Sequence, residues 1–105
     1  MPISTGGVDG SKEQVRQALN PYQDQHPGAQ IHFKRQNSVS IRIRIIDPDF
    51  AGISRADRHE IVWHFLEGLP EDVQSQVTLL IPLTPDETST SIANLEFENP
   101  TLSNL

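Results

Sequence analysis

The apolar positions of this chain fall into two periods. Ala29, Ile31 and Phe33 alternate with Gln30, His32 and Lys34, and Val39, Ile41, Ile43 and Ile45 alternate with Ser40, Arg42 and Arg44. A period of two over β-branched residues predicts two strands, each with one buried face, and the polar stretch Gln36-Asn37-Ser38 between them predicts a hairpin. Elsewhere the period is helical. Val15, Ala18, Leu19 and Tyr22 follow Ser11, which forms a capping-box pattern with Gln14 three residues on. Pro21 is expected to end this helix near Leu19, leaving residues 20–28 as a loop. Ile61, Val62, Phe65, Leu66 and Leu69 predict a second helix over 55–67, with Ser54 as its N-cap and Gly68 at its end. Pro70-Glu71-Asp72 predicts one short further turn of helix, and Val77 to Leu83 a buried strand stopped by Pro82 and Pro85.

These elements define an α+β fold, a two-layer α/β sandwich in the order α-β-β-α-(short α)-β. A strand–helix–strand connection within one sheet is a right-handed parallel crossover, so a three-stranded mixed sheet with helices on one face is expected. Residues 1–10 are small, polar and glycine-rich and are expected to form a flexible leader. Residues 11–87 make a single domain, and 88–105 a polar acidic tail. No apolar run approaches the roughly 20 residues of a membrane helix. The stretch Met1 to Gly7 lacks the basic start and apolar run of a signal peptide, so the expected location is the cytoplasm.

Composition narrows the chemistry. None of the 105 residues is cysteine, which excludes disulfides, thiolate metal sites and cysteine nucleophiles within them. The net charge of −6 argues against generic nucleic-acid binding. The charge is uneven, however. All eight basic residues precede His59 and outnumber the six acids there, whereas residues 59–105 carry eight acids and no Lys or Arg. With Ile41, Ile43 and Ile45 turned towards the helices, His32, Lys34, Ser40, Arg42 and Arg44 are expected on an open, basic sheet face suited to nucleic acid or another anion. Leu95 and Phe97 alternate with Glu96 and Glu98, so this part of the tail is expected to lie along that face as an added strand or clasp. Ile46 and Leu80 are further candidates for an open face, and through it for self-association.

Catalytic constellations are absent from the sequence pattern. His59 and His64 are five residues apart, about 140° round a helix, and so miss the spacing of a helical zinc pair. His26 sits in a proline loop with no evident partner. Asp47 and Asp49, like Asp86 and Glu87, stand beside prolines where acids shape turns. No Gly-x-Ser-x-Gly elbow or phosphate-binding glycine loop is present. The expectation is a protein that is not an enzyme.

At Phe50-Ala51-Gly52-Ile53-Ser54-Arg55-Ala56-Asp57-Arg58-His59 the chain resembles the BolA family: Phe-x-Gly, five residues, then Arg-His opening a helix. Leu66, the buried last strand and Thr84-Pro85-Asp86-Glu87 add to the likeness, which spans about residues 12–87. The resemblance implies a fold related to type II KH domains and a regulatory or adaptor role. It also implies a monothiol glutaredoxin as protein partner, with an iron–sulfur cluster shared between the two. Its signature positions correspond to Phe50, Gly52, Arg58 and His59, and with Arg55 in the same helix start these are the expected partner contacts, His59 being also the candidate metal ligand. Nucleic-acid binding of the KH type is the alternative. The family's cluster-ligating histidine before the last strand aligns with Gln76 or a neighbour, and the hairpin loop Arg35-Gln36-Asn37-Ser38 supplies neither His nor Cys. An amide is a poor iron ligand, so no cofactor is expected.

Overall fold

The computed structural model describes residues 10–90 and Phe97. Helix α1 (Gly10–Gln25) leads into an antiparallel hairpin of β1 (Gln30–Asn37) and β2 (Ser40–Ile46). A 3-10 turn (Pro48–Phe50), helix α2 (Arg55–Leu66), a single turn α3 (Glu71–Gln74), strand β3 (Val77–Leu83) and a second 3-10 turn (Pro85–Ser89) follow. The sheet order is β1-β2-β3, with β2 antiparallel to β1 and parallel to β3. The α+β order and the mixed sheet are those the periodicity predicts. Among the described residues no helix is long and apolar enough to cross a membrane.

The core lies between sheet and helices. Ile41, Ile43 and Ile45 of β2 meet Val15, Leu19 and Tyr22 of α1 and Val62 and Leu66 of α2, with Phe50 and Val73 closing the ends. Each such side chain contributes about 1.5–3 kcal/mol by leaving water. Ile61 falls outside this stripe and is exposed. Leu80 pairs with Ile43 and packs against the core, so of the two residues expected on an open face it is turned inward. Pro82 does not stop β3. Among the described residues the strand is an edge, so no neighbouring strand there requires the N–H that proline lacks, and the backbone runs on to Leu83.

Three local features depart from the sequence expectation. Helix α1 begins at Gly10, which places Ser11 inside the first turn; its hydroxyl accepts a hydrogen bond from Gln76 Nε2 at 3.0 Å. The same helix runs through Pro21 to Gln25. Pro21 cannot donate to the Gln17 carbonyl, but both residues are exposed and water can serve that oxygen. What carries the helix onward is Tyr22, fully buried, stacked near Phe50, edge-on to Phe65 and donating its hydroxyl to Asp47 Oδ2 at 2.5 Å. Burial and the Asp47 carboxylate together push the Tyr22 phenol far above its ordinary pKa. At the hairpin the reversal falls at Ser38-Val39, where Asn37 Oδ1 accepts from the Val39 N–H. Val39 therefore sits at the tip, 66% exposed, and not on the inner face of a strand.

Arg58 closes the far end of the molecule. Its Nε donates to the Ile53 carbonyl at 2.8 Å and its Nη1 to the Pro82 carbonyl at 3.2 Å. Both terminal nitrogens pair with Glu87, at 2.6 and 3.2 Å. Glu87 Oε1 also accepts from the Thr84 N–H, completing a capping box on the last 3-10 turn. One guanidinium thus ties the loop before α2, the end of β3 and the segment after it. The hydrogen bonds from Arg58, and then from the Thr84 backbone, hold the Glu87 pKa down to about 2.

Two outcomes follow for stability. A carboxylate with a depressed pKa stabilises fully above its unfolded value near 4.5 and loses that contribution as pH falls towards 2. Glu87→Gln should cost about 1–3 kcal/mol in urea unfolding at pH 7 and flatten the acid limb between those values; an unchanged acid limb would assign the slope to other groups. Pro21→Ala restores a helical donor at an exposed position and should raise stability by about 1–3 kcal/mol, read from the urea midpoint.

Candidate functional site

The start of α2 is set by local chemistry. Asp47 caps the 3-10 turn by accepting from the Asp49 N–H, and Phe50 is driven into the core at its end. Gly52 has φ +81°, a left-handed conformation that a side chain would strain. Ser54 then caps α2 by accepting from the Asp57 N–H at 3.1 Å. Asp57 in the first turn suits the positive end of the helix dipole.

Of the five residues assigned to partner contact, two are turned away from any partner. Phe50 is 2% and Arg58 5% exposed, because one fills the core and the other is bound to three segments. Their signature spacing is a folding constraint. Gly52, Arg55 and His59 are exposed. Arg55, Ala56 and His59 face the outer edge of β3, forming an apolar groove with the stretch from Leu79 to Leu83, of which Leu80 and Pro82 are on the helix side. On its other side His59 stacks on Trp63, 6.0 Å between centroids, and both line a shallow hollow with Glu60, His64, Glu67 and Val77. Trp63 is a member of this surface that the sequence pattern did not single out. It is the chain's single tryptophan and falls one helical turn after His59, a spacing that could have flagged it. His59 belongs to no set of three metal-ligating side chains; among the described residues such a set forms at His26, Asp47 and Asp49, so His26 is not without a partner.

The basic sheet face is assembled as expected but is not open. Arg42 is 5% exposed and Ser40 7%; the Ser40 and Thr78 hydroxyls are hydrogen-bonded to each other. Among the described residues Arg42 Nη1 is buried with no hydrogen-bond partner. Arg44 donates to His32 Nδ1 at 3.2 Å and lies over the Phe97 ring, 4.7 Å from its centroid. Lys34 donates to the Phe97 carbonyl at 3.0 Å and also approaches its ring. Phe97 packs on Ile81 and Leu83, with Leu79 beside them, so this face is apolar along β3 and basic along β1 and β2. Backbone geometry at Phe97 is helical, so it is not part of an added strand, whereas Leu95, Glu96 and Glu98 lie outside the described residues.

The position aligned with the missing histidine is occupied structurally. Gln76 Oε1 accepts from Arg35 Nη1 at 3.0 Å, and its Nε2 donates to Ser11 and to the Asp72 carbonyl. Its backbone carbonyl takes the Ile41 N–H. The amide therefore joins α1, the hairpin and α3.

No protein-family model and no curated protein matches the sequence. Two solved structures do resemble the fold. BolA1 from Arabidopsis thaliana superposes with a TM-score of 0.52 at 19% identity, covering 76% of this chain and 98% of its own. The BolA domain of SufE1 from Arabidopsis thaliana gives a TM-score of 0.54 at 16% identity, covering 77% of this chain and 99% of its own. Nearly all of each of those structures is matched, by about three quarters of this chain. With the helix–hairpin–helix–strand order, the mixed sheet and the Phe50 to His59 turn into α2, this likeness establishes that the chain has a BolA-like fold.

Proposed function

We propose that this chain is a non-enzymatic regulatory or adaptor module that binds a protein partner through the outer surface of α2. The observation that carries the reading is the division of labour at its N-terminal turns. Arg58 and Phe50 are buried, and they hold the exposed Arg55 and His59, with the half-buried Trp63 beside them, between an apolar strand edge and an acidic helix flank. Tryptophan and arginine on a pre-organised surface are the residue types that anchor protein interfaces. The BolA-like fold makes a monothiol glutaredoxin the first partner to test.

The donor set does not fit a shared iron–sulfur cluster. Gln76 offers an amide already engaged at both atoms, and Asn37, Ser38 and Val39 at the hairpin tip offer neither imidazole nor thiolate. Partner binding in this reading involves no cluster ligand from this chain. A nucleic-acid role has less support, since Arg42 is buried and Phe97 lies against Arg44. Self-association through Leu80 has none, because that side chain packs inward.

Calorimetric titration into a monothiol glutaredoxin, with and without its cluster, tests the reading. Saturable binding is expected in both states, with no change in the cluster's visible circular dichroism. Arg55→Glu and His59→Ala should each weaken binding by about tenfold or more, while Lys34→Ala leaves it unchanged. Absence of heat in both states would remove glutaredoxin as the partner. Binding that requires the cluster and alters its spectrum would overturn the cluster-free mode.

A further inference from the structure

On the far side of Tyr22 from Phe50 and Arg58, three side chains from two distant segments converge. His26, just past the end of α1, places Nδ1 2.8 Å from Asp49 Oδ2 and 3.2 Å from Asp47 Oδ2. All three ligand atoms lie within 4.8 Å of one another. We infer that His26, Asp47 and Asp49 form a binding site for a divalent first-row transition-metal ion, with zinc as its natural probe.

Four features of the geometry point there. Donor atoms around such an ion, at about 2.0–2.2 Å from it, stand about 3 Å apart, which is the separation of His26 Nδ1 from each of the two carboxylates. The Asp47 carboxylate is 1% exposed and, among the described residues, neither it nor Asp49 is paired with Lys or Arg. Two carboxylates flanking one imidazole therefore lack a permanent counter-charge, and a divalent cation would supply it. The ligands are also held before any ion arrives. Tyr22 stacks on the His26 ring at 4.2 Å and hydrogen-bonds Asp47, fixing the orientation of both, as an outer-shell partner does in metal sites. The His26 backbone is pinned by Tyr22, Gln23 and Ala29. Finally, the Asp-Pro-Asp turn aims both carboxylates to one side, with Asp47 anchored by the Asp49 N–H.

The ligand types choose the ion. An imidazole with two carboxylates suits zinc, nickel, cobalt or manganese, whereas calcium and magnesium favour all-oxygen sets. Asp49 is 65% and His26 26% exposed, so an ion would enter from solvent and keep water in its remaining positions. Bound there, it would fasten the end of α1 to the turn after β2. The inference stands apart from the partner-binding reading, since none of these residues lies on the α2 surface.

The experiment is a zinc titration of the full chain by calorimetry, with cobalt as optical probe and imidazole ¹⁵N spectra to identify the ligating nitrogen. One saturable site is expected, with ligation through His26 Nδ1 and a thermal midpoint raised by several degrees in excess zinc. His26→Gln and the exposed Asp49→Asn should each lose saturable binding and the thermal shift, and Tyr22→Phe should weaken affinity about tenfold. The double variant His59→Gln/His64→Gln should bind zinc as the parent does, and calcium should not compete. Should His26→Gln fail to fold, the Asp49→Asn result decides. No saturable zinc binding, loss of it in the His59/His64 variant alone, or ligation through Nε2 would each overturn the site.

Discussion

The buried guanidinium of Arg58 is the constraint on which the rest of this structure depends. A charge removed from water is tolerated only when its donors are satisfied, and here every partner comes from a different piece of chain: the Ile53 carbonyl, the Pro82 carbonyl and the Glu87 carboxylate. Satisfying it fixes the entry to α2, the end of β3 and the segment beyond. The Phe-x-Gly turn serves the same end, because Phe50 must enter the core and Gly52 must turn left-handed before Arg58 can reach inward. The family-like signature is thus first a means of building a corner. Its neighbours Arg55 and His59 are the ones presented to solvent.

Much of the fold was legible in the sequence because periodicity reports burial directly. The isoleucines of β2 could face inward only as a strand, and the parallel crossover then ordered the sheet. What was not legible depended on contacts between distant residues. Pro21 forecasts a helix end, yet Tyr22 one residue later gains more from the core and Asp47 than the missing hydrogen bond costs. Val39 reads as a strand residue until Asn37 takes its N–H and moves the turn. At the turn into α2 the sequence pattern named the right stretch but not its two sides: Arg55 and His59 are exposed, whereas the interior claims Arg58 as well as Phe50. His26 stands more than twenty residues from Asp47 and Asp49, a distance across which no local pattern speaks.

The sheet gives the molecule two unlike sides. Against the helices it is apolar except for Arg35 near the hairpin end, whereas the other side runs from Lys34 and Arg44 to Ile81 and Leu83. Phe97 fits that mixed side because its ring offers an apolar body to β3 and a negative face to the cations. Burial of β2 from both sides explains why Arg42, on a strand that reads as half-solvated, is nearly inaccessible.

Pro82 carries one more consequence. Strand β3 begins Val77-Thr78-Leu79-Leu80-Ile81, an uncharged, β-prone run with no strand beyond it among the described residues, which is the kind of segment that templates cross-β stacking between chains. A proline at the sixth position withholds the donor that an incoming strand would need, so extension of the sheet from molecule to molecule is interrupted where the run is most apolar. A residue that propensity keeps out of strand interiors thus removes one donor from the edge of this one.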